Sequence, residues 1–376
     1  MINSTKPLSL SPIRLLSSIT PYLLFLFLTF SAIPALAGWP HIVFSKDGTP
    51  ISYEVNGNGE PGLVFVHGWS CDSRYWREQV PYFSKTYQVV TIDLAGHGHS
   101  GFSRSKYTMK SFGEDVKAVT DVSGADKIIL IGHSMGGSVI AEAARLMPER
   151  VIGLIGIDTL QNIEYPLTSD ELKKMTAPMK ADFKSGSRNF VSDMMRPGTD
   201  PKLREWILSD MSAAPPSVAL SAMQEMLSRY LTGEAAKTFE AIKLPVVAVN
   251  ADMWPINYEA NRRHMASFDA IVLENSDHFL MMNRPEEFNK ALETGIQLIL
   301  KKGGKINRQR RLSVNLTDAF GPARAQSGCG FDNRYFLKNR ALSNMEILDF
   351  SGCHFNRFYP GHQSPDHLDD DIAAQG

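Results

Sequence analysis

The sequence of 376 residues predicts an α/β fold interrupted by a helical insertion. Three observations lead there. Short apolar runs of strand length alternate with helical patterns through the first 160 residues; the alternation stops after Asp158; and it resumes near residue 244. In order along the chain, Ile42 to Ser45 and Ile51 to Val55 flank Asp47-Gly48 and read as a hairpin. Gly62 to Val66 and Val89 to Ile92 read as buried strands, with helices expected near Tyr75 to Phe83 and Ser111 to Val122. Lys127 to Ile131 is a third strand, followed by a turn and the helical pattern Val139 to Ala144. Val151 to Ile157 is a fourth. Residues 161–243 then read as several short helices, broken by Lys184-Ser185-Gly186-Ser187, Arg196-Pro197-Gly198-Thr199 and Ala213-Ala214-Pro215-Pro216. Strand patterns return at Val246 to Val249 and Ala270 to Glu274, and a last helix runs from Pro285 to Leu300.

The flanks differ from this core. Lys6 and Arg14 precede an uncharged stretch, Leu15 to Pro40, centred on Leu23 to Leu28 and followed by the small-residue site Ala35-Leu36-Ala37. That pattern predicts a signal peptide over residues 1–37 and export to the periplasm or medium, with a membrane-anchored chain as the alternative if cleavage fails. After Leu300 come a basic run and, much later, Asp369-Asp370-Asp371, with no sustained periodicity between them. Residues 303–376 therefore read as a disordered or weakly ordered tail. The expected organisation is a core of residues 38–160 and 244–302 with a cap of residues 161–243. A formal net charge of -1 provides no field to recruit nucleic acid, so the expected partner is a small molecule. The 3 cysteines, Cys71, Cys329 and Cys353, are too few for a disulfide framework, although Cys329 and Cys353 could pair on export.

The chemistry concentrates at Gly132-His133-Ser134-Met135-Gly136-Gly137, between a strand and a helix. A serine at the apex of such a turn is held in strained backbone geometry, so the residues two before and two after must be small, as Gly132 and Gly136 are. Its hydroxyl stands at a helix N-terminus, where the dipole and free N–H groups favour a developing anion. A serine needs a base. Of the 10 histidines only His264 and His278 lie between Ser134 and position 350. His264 sits in a polar helical stretch, whereas His278 follows a strand and its turn, so His278 is the expected base. The orienting acid should end a strand: Asp252 is the expected one, with Asp158 as its rival and Asp277 read as shaping the histidine loop. The oxyanion donors expected are the N–H of Met135, after the nucleophile, and that of Trp69, in the loop after Gly62 to Val66. His97-Gly98-His99 lacks further ligands at usable spacing, so no metal site is expected there.

The ordered set His67-Gly68-Trp69, Asp93 to Ser100, Gly132 to Gly137, Asp252 and His278-Phe279 with Pro285-Glu286-Glu287-Phe288 resembles the α/β-hydrolase superfamily over roughly residues 41–302. The resemblance implies an eight-stranded, mostly parallel sheet flanked by helices, a helical cap over the site, no cofactor, and acyl transfer through a serine ester. Within the superfamily the elbow resembles esterases, lactonases and cofactor-free haloperoxidase-like perhydrolases. The cap carries Met175, Met179, Met194, Met195, Met211, Met223 and Met226 with Phe183, Phe190 and Trp206, an adaptable apolar set that favours an uncharged, partly hydrophobic substrate. The expectation is hydrolysis of a small ester or lactone by Ser134, Asp252 and His278. A ligand-binding protein on the same scaffold and a perhydrolase are the alternatives.

Overall fold

The computed structural model describes residues 40–319, and their side chains through Lys302. The expected signal peptide, Cys329, Cys353 and the tail beyond residue 319 lie outside the described residues. No helix among the described residues is long and apolar enough to cross a membrane.

Eight strands form one sheet in the order β1-β2-β4-β3-β5-β6-β7-β8. β1 (His41–Phe44) and β2 (Pro50–Asn56) form the hairpin expected at Asp47-Gly48, where Gly48 takes φ 83 and the Asp47 carboxylate accepts from the Thr49 N–H at 3.0 Å. β2 pairs antiparallel with β4 (Val89–Ile92); from there on every pairing is parallel. β3 (Gly62–Val66) and β5 (Ile128–His133) are buried at every residue. Such unbroken apolar runs are what a sheet covered on both faces requires. β6 (Val151–Ile157), β7 (Pro245–Ala251) and β8 (Ser267–Leu273) complete the sheet.

Helices cover both faces. α3 (Met109–Ser123) packs on α4 (Met135–Leu146), and α12 (Pro285–Ala319) packs on β6, β7 and β8 through Leu292, Ile296 and Ile299, all fully buried. Each such aliphatic side chain contributes roughly 2 kcal/mol through apolar burial. The expected helix near Tyr75 to Phe83 is divided into a single 3-10 turn, α1 (Ser73–Trp76), and α2 (Val80–Phe83). Pro81 sits in the first turn of α2 and has no N–H to continue a helix from α1. At the other end α12 runs past Leu300 to Ala319. The basic run after Leu300 holds Lys, Arg and Gln, all good helix formers, and no proline before Pro322, and the helix continues through it despite Gly303 and Gly304.

Five helices lie between β6 and β7: α5 (Ser169–Ala181), α6 (Phe183–Ser192), α7 (Pro201–Met211), α8 (Pro216–Leu231) and α9 (Glu234–Glu240). Thr168 caps α5 in a reciprocal capping box with Glu171, and the Asp182 and Asp200 carboxylates cap α6 and α7. This cap is joined to the elbow helix by a buried ion pair between Arg229 of α8 and Glu142 of α4, with Thr238 of α9 bonded to both. α10 (Tyr258–His264) and the single turn α11 (Leu280–Asn283) flank β8.

Candidate active site

Ser134 stands between β5 and α4 with φ 51 and ψ -116, a strained conformation for a residue with a Cβ, costing on the order of 1–3 kcal/mol. The surroundings fix it there. Its N–H donates to the Ile157 carbonyl at 2.9 Å, and its carbonyl accepts from Gly137 N–H at 2.9 Å. A Cβ on Gly132 would lie 2.3 Å from the Gly136 oxygen, and one on Gly136 would lie 2.6 Å from the Val66 oxygen. Backbone meets backbone at both positions, so only glycine fits.

His278 lies in the loop between β8 and α11, and its Nδ1 is 2.6 Å from Asp158 Oδ2. A carboxylate can only accept, so Nδ1 carries the proton and Nε2 is left as the basic nitrogen. Asp158 is buried, takes φ 42, and accepts from the Ala251 N–H at 2.9 Å through its other oxygen. Asn250 clamps the same turn, accepting from the Thr159 N–H at 3.2 Å and donating to the Thr159 carbonyl at 3.1 Å.

The structure thus corrects the choice of acid. Asp252, not Asp158, was expected against His278, but Asp252 accepts from Asn275 N–H at 3.0 Å and Ser276 N–H at 3.3 Å and pairs with Arg196 at 2.7 Å. Burial pushes the Asp252 carboxyl up, yet those N–H groups and Arg196 outweigh it and hold the carboxyl below its ordinary value. The reason lies in the sheet. β6 is the direct neighbour of β5, His133 pairs with Ile157, and Ser134 and Asp158 are the residues that follow that pair. Asp277 shapes the loop: its carboxylate accepts from Phe279 N–H at 3.0 Å and Thr199 Oγ1 at 2.6 Å.

Met135 opens α4, so its N–H has no intrahelical acceptor. Trp69 carries the other N–H expected as a donor; its indole N–H donates to the Ala219 carbonyl of α8 at 2.7 Å, and its ring meets Phe183 and Phe190 edge-on. Gly68 brings this loop against the nucleophile: a Cβ there would lie 2.7 Å from His133 Nδ1 and 3.2 Å from Ser134 Cβ. His133 is fully interior, burial drives its ring well below the ordinary histidine range, and its Nε2 lies 2.9 Å from the His278 carbonyl. As a neutral ring it donates there, tying the base's backbone to the elbow. His97 is likewise a loop residue: burial lowers it to about 3, and its Nδ1 lies 3.0 Å from the Ala95 carbonyl. Among the described residues no cluster of His, Cys, Asp and Glu is arranged to hold a metal ion.

Ser134, Asp158 and His278 share the wall of a cavity of about 970 Å³. Its aromatic lining is Tyr165, Tyr230, Trp254 and Tyr258, and its aliphatic lining includes Leu167, Met226, Leu227 and Ile256. Trp254 meets the His278 ring edge-on, centroids 5.9 Å apart. Among the described residues no Lys or Arg lines the cavity, and the one lining carboxylate besides Asp158, Glu259, pairs with Arg263 at 2.8 Å. Of the cap methionines only Met226 reaches it. Met179, Met195, Met211 and Met223 are buried in the packing of the cap, and Met175 is exposed. The aromatic wall was the missed feature: Trp254 lies in the turn after β7 and Tyr258 opens the helical stretch that carries His264, and neither position by itself marks a cavity wall.

The sequence profile of the family described as alpha/beta hydrolase fold matches residues 61–193. The chain is 26% identical over 255 residues to the dihydrolipoyllysine-residue acetyltransferase component of the acetoin cleaving system of Pseudomonas putida, covering 64% of this chain and 64% of that protein. The chain therefore spans less than two thirds of that relative's length. It is 25% identical over 259 residues to the pimeloyl-(acyl-carrier protein) methyl ester esterase of Aeromonas hydrophila, covering 65% of this chain and 98% of the relative. Among solved structures, the esterase of Exiguobacterium antarcticum aligns with TM-score 0.61 at 20% identity, over 69% of this chain and 99% of that one, a likeness of fold. The chain has the α/β-hydrolase fold, matched by that family's profile over residues 61–193, with the carboxylate beside its histidine supplied at the end of the sixth strand.

Proposed function

We propose that the protein is a serine hydrolase that cleaves a small, uncharged, partly hydrophobic carboxylic ester or lactone through an acyl-enzyme. The observation that carries the reading is the 2.6 Å contact of His278 Nδ1 with Asp158, in a cavity wall that also holds Ser134. Nε2 of His278 takes the proton as Ser134 Oγ attacks the ester carbonyl; Asp158 keeps the ring in the right tautomer and stabilises the imidazolium. The N–H groups of Trp69 and Met135 receive the oxyanion, reinforced by the N-terminus of α4. His278 then returns the proton to the leaving alcohol, and water repeats the sequence to release the acid. A cavity of about 970 Å³ lies at the upper end of the range of ligand sites, roughly 300–1,000 Å³, and a wall that mixes aromatic and aliphatic side chains with neutral polar ones such as Gln161, Asn162 and Asn257, with no lining Lys or Arg among the described residues, suits uncharged groups.

Ser134→Ala tests this directly. Turnover of a short-chain aryl ester should fall by about 10⁴-fold or more, since removing a serine nucleophile leaves only binding and the oxyanion donors. Circular dichroism should be unchanged. Undiminished turnover in the folded variant, or no turnover across a panel of esters, lactones and thioesters by the parent, would make this scaffold a binding protein instead.

A further inference from the structure

The loop that carries His278 is held largely by the cap. The His278 N–H donates to the Met194 carbonyl at 3.2 Å. Arg196, two residues on, makes three contacts: its N–H donates to Asp277 Oδ2 at 3.2 Å, its Nε to the Ser276 carbonyl at 2.7 Å, and a terminal nitrogen to Asp252 Oδ1 at 2.7 Å. Thr199 adds its hydroxyl to Asp277 at 2.6 Å. Asp252 closes the loop by accepting from the Asn275 and Ser276 N–H groups. Residues 275–278 are thereby gripped between the cap segment 194–199 and the end of β7, with the Arg196 guanidinium bridging the Ser276 carbonyl to Asp252 while its backbone N–H reaches Asp277.

We propose that Arg196 is a positioning residue for the catalytic base: by joining the Ser276 carbonyl to Asp252, its guanidinium sets where the His278 ring stands relative to Ser134. The inference rests on the reading of Ser134 and His278 as an acyl-transfer pair. Arg196 does not line the cavity that holds Ser134; it lines a separate one of about 710 Å³ behind the histidine loop, so it has no contact with a substrate at the serine. A partly exposed ion pair alone would contribute little. The planar fork is what matters, because it reaches a carbonyl and a carboxylate at once, and an ammonium is a single point charge.

The test compares Arg196→Ala, Arg196→Lys and Thr199→Val with the parent chain. Arg196→Ala should lower kcat on the order of 10- to 100-fold with KM changed less than about threefold, since displacing a catalytic group by about an ångström costs rate rather than affinity. Arg196→Lys should recover part of that loss. The 1H–15N imidazole signals of His278, assigned through His278→Gln, should shift in Arg196→Ala and, by less, in Thr199→Val, which removes the hydroxyl's contacts with Asp277 and the Arg196 carbonyl and retains the guanidinium if Arg196→Ala does not fold. Unmoved His278 signals in these variants, or a loss confined to KM, would overturn the proposal. The spectra report on the latch without turnover. A parent without Ser134-dependent activity but with moving signals would therefore sink the enzymatic reading and leave the latch standing.

Discussion

Asp158→Asn separates the two carboxylates that end neighbouring strands. In the parent, both Asp158 oxygens are engaged: Oδ2 by His278 at 2.6 Å and Oδ1 by the Ala251 N–H at 2.9 Å. An asparagine fits the same volume and keeps an oxygen on Ala251. Its amide then points at His278 and donates to Nδ1, moving the ring proton to Nε2, where it blocks the nitrogen that must accept from Ser134. The wrong tautomer costs about 10⁴-fold in kcat in the serine-protease template, about 5 kcal/mol of barrier. Asp252→Asn leaves the tautomer alone and weakens the grip on residues 275 and 276 and the pair with Arg196, so about tenfold or less is expected from a small displacement. The assay is kcat on an aryl ester, normalised by labelling Ser134 with a fluorophosphonate and accompanied by thermal midpoints. A collapse in Asp252→Asn beside near-normal turnover in Asp158→Asn would refute the geometric assignment.

Two further outcomes concern stability. Glu142→Ala leaves the Arg229 guanidinium, 10% exposed, with the neutral Thr238 hydroxyl at 2.6 Å and the outer Glu234 carboxylate at 3.3 Å, and should cost roughly 3 kcal/mol by chemical denaturation. The double variant Glu142→Leu with Arg229→Met should be closer to the parent than the arginine-stranded single variant, and simple additivity would contradict the buried-pair account. His264 bridges Glu240 at 2.7 Å and Glu164 at 2.6 Å, so both ring nitrogens must donate and the ring is held charged. Burial works against the charge, but the two carboxylates outweigh it and raise His264 above its ordinary 6.5. A raised value in the folded state means the stabilisation is full below pH 6.5 and disappears as pH rises through the folded value. The midpoint difference between parent and His264→Gln should therefore be larger at low pH than at high pH, and a pH-independent difference would contradict it.

Much of the frame was legible because it is written in local patterns. Strands such as Ile128–His133 are continuous apolar runs, the Asp47-Gly48 turn has its own backbone chemistry, and the elbow glycines are spaced by a single turn. What was not legible depends on long-range direction. Asp158 and Asp252 both end strands ahead of His278, and only the pairing of β5 with β6, together with an arginine from the cap that occupies Asp252, separates them. That arginine sat in a segment readable only as a helix breaker, Arg196-Pro197-Gly198-Thr199. The cap methionines misled for a related reason: helical apolar stripes face other cap helices as readily as a cavity, and four of them do. His264 looked solvated among its arginines because its carboxylate partners lie 24 and 100 residues away.

The indole of Trp69 has a consequence for how this scaffold could change its substrate. Its backbone belongs to the core, but its side chain is bonded to the Ala219 carbonyl and packed against Phe183 and Phe190, so the loop proposed to offer the oxyanion donor is seated against the cap. Replacing the cap wholesale, the obvious way to recombine substrate ranges between relatives, would remove that seat together with the selectivity it was meant to import. The interchangeable part is elsewhere. Trp254, Ile256 and Tyr258 line the cavity from the segment after β7, outside the cap, and can be varied one at a time while the machinery keeps its seat.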